Sequence, residues 1–204
     1  MLWRISSARS RRTPPTGFIP PARPLLVAKP RSGPEWVHEV KHDGYRLLTL
    51  KDADRITLWS RYATDYSDTF LRIAEAVRSL PVDHVLIDGE AVVFKPDGHS
   101  DFAALRTNRG AAQASLVAYD LLQFQSEDWR KLPLEVRRAQ LESLVAGIDG
   151  LTFSEAIEGD GALVFAHACK LGLEGIVSKR LGGVYSSGRC RNWLKVKNPA
   201  FERR

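Results

Sequence analysis

The chain has 204 residues, 44% hydrophobic and 26% charged, a balance that fits a globular protein with its own core and excludes a disordered chain. No run of about 18 apolar residues occurs, and no apolar stretch with a small-residue cleavage site follows the basic start, so neither a membrane span nor a secretory signal is expected. The formal charge of +6 sits ahead of the body: residues 1–34 hold seven Lys/Arg and no Asp or Glu, against 23 basic and 24 acidic side chains in the remainder.

Taken in chain order, the first element is a basic arm, residues 1–16, expected to be flexible and suited to a polyanion such as DNA. The domain proper is expected over 17–204. It opens with Pro20-Pro21-Ala22-Arg23-Pro24-Leu25-Leu26, which reads as extended chain because each proline biases its predecessor away from the helical region. Strands are predicted at Arg46–Leu50, Ile56–Ser60, Val85–Phe94, Ser115–Phe124 and Asn192–Lys197, all rich in branched or aromatic residues and bounded by turn formers. Helical periodicity marks Asp68–Leu80, with Phe70, Leu71, Ala74, Val77 and Leu80 on one stripe, and recurs at Leu134–Val145 and Gly161–Leu171. Without a regular βαβ rhythm the pattern predicts an α+β fold, two antiparallel β-sheets flanked by helices. Cys169 and Cys190 stand outside any CxxC pattern, which favours free thiols in a reducing cytoplasm over a disulfide or zinc framework. His38, His84, His99 and His167 form no ligand-like spacing.

Four segments concentrate charge in patterned strands. In Glu39-Val40-Lys41-His42-Asp43-Gly44-Tyr45-Arg46, an extended run would place Glu39, Lys41 and Asp43 on one face, with Gly44 allowing a sharp turn before Arg46. Taken alone, a Lys-x-Asp-Gly string reads equally as a solvated strand end. Leu86-Ile87-Asp88-Gly89-Glu90 lies inside a strong strand, where period two sets Asp88 and Glu90 on one face and Val85, Ile87, Ala91 and Val93 on the other. Two carboxylates on a hydrophobic strand are costly unless something polar or cationic meets them. Glu174-Gly175-Ile176-Val177-Ser178-Lys179-Arg180 follows, with Lys179 at an odd offset from Glu174 and so facing away from it on a regular strand. In Trp193-Leu194-Lys195-Val196-Lys197 both lysines share a face, a pair that calls for an anion such as phosphate.

The order and spacing of these segments resemble the covalent nucleotidyltransferases, and specifically the ligase domain of bacterial DNA end-joining ligases, the ATP-dependent kind. The resemblance begins near Pro24 and runs to Pro199, through Lys41–Arg46, Ser60-Arg61, Asp88-Gly89-Glu90, Tyr119-Asp120-Leu121-Leu122, Glu174–Arg180 and Trp193–Lys197. It implies that Lys41 attacks the α-phosphorus of ATP, expels pyrophosphate and becomes a lysyl–AMP adduct, and that AMP then passes to the 5′-phosphate of nicked double-stranded DNA in repair or recombination. Free lysine has a pKa near ~10.4, so a cation-rich, partly desolvated site is required. The resemblance assigns Lys195, Lys197 and Arg46 to the phosphates, Glu39 to the adenine amino group, Glu90 to the ribose hydroxyls and Tyr119 to stacking on the base. It further assigns Glu174 to Mg²⁺ (or Mn²⁺), Arg46, Ser60 and Arg61 to the DNA 5′-phosphate, and Asp43 to nick sealing. Tyr119 stands where the family usually has Phe, and His42 fills the variable position of the motif. The family's usual OB-fold domain, which carries its last basic motif, has no counterpart in the few residues after Lys197, so the sequence reads as a natural short form, as a fragment, or as a chain whose missing half a separate OB-fold or repair partner supplies. An RNA ligase or capping-type enzyme, and a non-catalytic DNA-binding remnant, share parts of the pattern.

Overall fold

The computed structural model describes residues 15–202, so most of the predicted arm lies outside the described residues. Within them the order is β1 (Ala22–Leu26), β2 (Trp36–Val40), β3 (Tyr45–Asp52), β4 (Arg55–Ser60), α1 (Leu71–Arg78), β5 (His84–Val92), α2 (Phe102–Leu105), α3 (Asn108–Gln113), β6 (Ser115–Phe124), β7 (Glu127–Asp128), α4 (Leu134–Val145), β8 (Leu151–Phe153), β9 (Ile157–Glu158), α5 (Gly161–Lys170), β10 (Gly175–Arg180) and β11 (Gly188–Lys197). One sheet runs β1-β11-β10-β2-β9; the other runs β4-β3-β5-β6-β7, with β8 beside β6. Pairing is antiparallel except for β1 with β11 and β6 with β8, which are parallel.

Period-two alternation divides the second sheet between two cores. Leu47, Leu58, Val85, Ile87, Ala91 and Leu116 turn outward onto Phe70, Ile73 and Val77 of the α1 segment and Leu141 and Leu144 of α4. Leu48, Leu50, Trp59, Leu86 and Leu122 turn the other way, onto Ala22, Cys190 and Trp193 of β1 and β11. Each such fully buried side chain contributes about 1.5–3 kcal/mol. The predicted α1 stripe needs correction. The helix starts at Leu71, not Asp68, so Phe70 sits at its cap, Leu71 is 56% exposed, and Ile73, Ala74, Ala76 and Val77 form the buried face.

β6 breaks alternation where the site requires it. Its ladder to β5 pairs Gly89 with Ala118 and Asp88 with Asp120, skipping Tyr119. The bulge turns Tyr119 and Asp120 toward the same side, facing the first sheet.

Candidate active site

Lys41 leaves the end of β2, where its backbone N–H is held by the Gly175 carbonyl at 2.9 Å. β2 ends at Val40, and Lys41, His42 and Asp43 carry no regular structure before the bend at Gly44. The Lys41 amine donates to Glu174 Oε2 at 2.7 Å, and the other Glu174 oxygen lies 3.1 Å from Lys197 Nζ. Glu174 is 5% exposed and Lys197 51%, so the carboxylate is fixed from below while one of its cations stands at the rim. Val177 pairs with Glu39 on one side and Lys195 on the other, which sets these side chains on one sheet face. Desolvation, then the charges of Lys41 and Lys197, hold the Lys195 amine below the ordinary lysine range. Asp43 is buried nearby, and a cavity of about 190 Å³ opens beside Lys41, lined in part by His42, Asp43, His99, Glu174 and Phe201.

Gly175 explains how Glu174 and Lys179 both reach this face despite their odd separation. Glu174 lies just outside β10, and Gly175, which opens the strand, has a φ of +143°, where an added Cβ would meet the Val196 carbonyl oxygen at 2.0 Å. Lys179, expected to face away from the site, is corrected accordingly. It is buried, donates to the Tyr119 carbonyl at 2.8 Å, and lies 2.7 Å from Glu39 Oε1. Its amine also sits 4.3 Å from the Trp193 ring centre and 4.9 Å from that of Tyr119. Glu39, also buried, accepts hydrogen bonds from Arg138 of α4 and from Ser154 Oγ at 2.9 Å. Beside it, Arg137 makes a paired contact with Asp120 at 2.7 and 2.8 Å. Arg137, Arg138 and Ser154 escaped the sequence reading. The available signal was Asp120 itself, a carboxylate inside an apolar strand that demanded a cation.

Arg46 has a buried carboxylate partner. Its guanidinium donates to both oxygens of Asp88, through Nε at 2.8 Å, and to the Ala22 carbonyl. Tyr185 completes the group by accepting from the Ala22 N–H at 2.8 Å and donating to Asp88 at 2.6 Å. The Arg46 guanidinium, expected at the phosphates, meets here the carboxylate that the sequence showed to need a cation, and ties β1 to the second sheet. Glu90 pairs with Arg46 across β3 and β5 and faces the same way. Burial, opposed by Lys41 and Arg46, pushes its carboxyl up to about 7. Ser60 Oγ accepts the backbone N–H groups of Tyr62 at 3.2 Å and Thr64 at 3.1 Å, so it organises a turn; Arg61 beside it is exposed.

Among the described residues no group of three or more His, Cys, Asp or Glu is placed to hold a metal ion, and no helix is long and apolar enough to cross a membrane. Residues 27–197 match the family model described as the ATP dependent DNA ligase domain. A multifunctional non-homologous end joining protein LigD from Pseudomonas aeruginosa is 38% identical over 191 residues, which span 91% of this chain and 23% of that protein. The chain thus spans less than a quarter of the length of the LigD proteins it matches. Among solved structures, the ligase domain of Mycobacterium tuberculosis LigD superposes with a TM-score of 0.73 at 33% identity, covering 87% of this chain and 60% of that one. A mycobacterial DNA ligase D complexed with ATP and MES gives 0.68, also at 33% identity, covering 85% and 60%.

Proposed function

The chain belongs to the family of ATP-dependent DNA ligase domains, and from that premise we propose that it takes AMP from ATP onto Lys41 and passes it to the 5′-phosphate of nicked DNA. The observation that carries this reading is the convergence of Lys41, Lys195 and Lys197 around the buried carboxylate of Glu174. The Lys41 amine, having shed a proton, forms a bond to the α-phosphorus as the bond to pyrophosphate breaks. Lys195 and Lys197 neutralise charge that builds on the phosphate oxygens. A DNA 5′-phosphate oxygen then displaces Lys41 from the adduct, and the 3′-hydroxyl finally displaces AMP.

Glu174 fits Mg²⁺, which is commonly held by one or two carboxylates with the remaining positions filled by phosphate and water. Such an ion would supply charge neutralisation at the phosphates and would require Lys41 to leave Glu174. Glu39, clamped by Arg138, Ser154 and Lys179, offers the remaining acceptor capacity of its carboxylate to the adenine amino group; Tyr119 supplies a ring for the base, and Glu90 acceptors for the ribose. Arg61 is free to meet the DNA 5′-phosphate, while Asp43 is assigned to sealing. Two free cysteines suit a reducing cytoplasm.

Incubation with α-labelled ATP and Mg²⁺, followed by denaturing electrophoresis, tests the first step. Wild type should retain label on Lys41, and Lys41→Ala and Lys41→Arg should retain none, because arginine keeps the charge but does not deprotonate. Label that survives either substitution would remove Lys41 from the mechanism.

A further inference from the structure

Ser60 ends β4 opposite Leu47, one step from the Arg46–Glu90 pair, so the turn that follows leaves the sheet at the end where the site lies. That turn is densely bonded. Ser60 N–H donates to the Thr64 carbonyl at 2.8 Å, Ala63 N–H donates to the Ser60 carbonyl at 2.9 Å, and Trp59 bridges to Asp65. Ala63 is held at φ +63°, a conformation that alanine visits rarely and that only surrounding bonds maintain. The tip of this turn carries Arg61 and Tyr62. The Tyr62 ring is 71% exposed and so adds little to the core, yet the Arg61 guanidinium carbon stands 4.7 Å from its centre. The positive charge of Arg61 reaches as far as Lys195, among the phosphate-facing lysines.

We propose that Tyr62 is a positioning residue for strand joining, its ring holding the Arg61 guanidinium at the entrance of the cleft to receive the 5′-phosphate of a nick. An exposed arginine samples many rotamers, and a rigid ring beneath it selects a few. Stacking uses the face of the guanidinium and leaves its in-plane N–H groups free, which is the edge a phosphate needs. The inference rests on the proposed joining reaction, and the test below separates the two.

Affinity for a nicked duplex is measured with a 5′-phosphate and with a 5′-hydroxyl at the nick, for wild type, Tyr62→Ala, Tyr62→Phe, Arg61→Ala and the Arg61→Ala/Tyr62→Ala double variant. Thermal unfolding and lysyl–AMP formation are followed alongside. Tyr62→Ala should lower the preference for phosphate about two- to fivefold, the size of an exposed cation–π contact. Tyr62→Phe should restore it, and the double variant should match Arg61→Ala alone. The inference is overturned if Tyr62→Ala keeps the wild-type preference, if it weakens both nicks equally, or if its effect persists undiminished on the Arg61→Ala background. A wild-type chain with no phosphate preference overturns it too. Absence of label on Lys41 would sink the joining reaction instead, and the binding comparison would still decide the role of Tyr62.

Discussion

Glu90 and His42, which both feel the charge of Lys41, the proposed nucleophile, have opposite titration behaviour. Burial pushes Glu90 up from 4.5 to about 7; burial, then the charge of Lys41, pushes His42 down from 6.5 to about 4, its ring edge against Phe94 at 5.8 Å. The folded state binds the Glu90 proton more tightly than the unfolded chain does. Its contribution to stability is therefore complete below about 4.5 and lost as pH rises through about 7. For His42 the folded state binds the proton less tightly, so its contribution is complete above about 6.5 and lost as pH falls through about 4. Between these limits the two slopes oppose, and their sum should be nearly flat. Glu90→Gln should expose a stability that rises with pH below about 6.5. His42→Gln should expose one that falls up to about 7. Each change should reach at most about 3 kcal/mol across its window. Urea unfolding at half-unit pH steps reads both, and two flat profiles would show that neither group is perturbed in the fold.

At the level of elements, β10 depends on one backbone conformation. Gly175→Ala would place a Cβ 2.0 Å from the Val196 carbonyl oxygen at φ +143°, whereas Gly182, at φ +70°, has nothing within 4 Å of the same added atom. Gly175→Ala should cost about 2–4 kcal/mol and reduce adduct formation by displacing Glu174; Gly182→Ala should cost about 1 kcal/mol and leave the adduct alone. Equal losses in chemical denaturation would mean that the β10–β11 ladder adjusts freely. The same glycine marks where alternation ceased to be a guide: Glu174 lies before it, outside β10, so parity counted from Glu174 misplaced Lys179, which shares the face of Val177. Where the runs were long and bounded by turn formers, at Ser115–Phe124 and Leu134–Val145, predicted and observed bounds agree to the residue. α2 and α3 were too short to show a period and are defined by caps, Asp101 accepting from Ala104 N–H and Thr107 from Gly110 N–H. The parallel pairing of β1 with β11 joins segments more than 160 residues apart, which no local pattern encodes. Within the site, motif spacing brought out Lys41, Glu174, Lys195 and Lys197. Arg138 and Arg137, which meet Glu39 and Asp120, lie on a helix, and only packing reveals them as buried.

For the whole molecule, the two sheets divide the work. β2, β10 and β11 bring the lysines and Glu174, β3, β5 and β6 bring Arg46, Glu90 and Tyr119, and hydrogen bonds from Arg46 to the Ala22 carbonyl, from Lys179 to the Tyr119 carbonyl and from Tyr185 to Asp88 hold the sides together. That construction neutralises most of the charge inside the body, which leaves long-range attraction for DNA to the segment ahead of it. Residues 1–14 contain Arg4, Arg9, Arg11 and Arg12 and no acid. Each phosphate neutralised contributes about 0.9 to the slope of log affinity against log salt, so removing these residues should flatten that slope by up to about 4. Lysyl–AMP formation, which takes place within the body and involves no DNA, should not change. Fluorescence anisotropy on a nicked duplex between 50 and 200 mM salt, a range where such slopes are measurable, compares the two chains. An unchanged slope would place the DNA contact wholly on the body, and the basic segment would then have no part in holding the substrate.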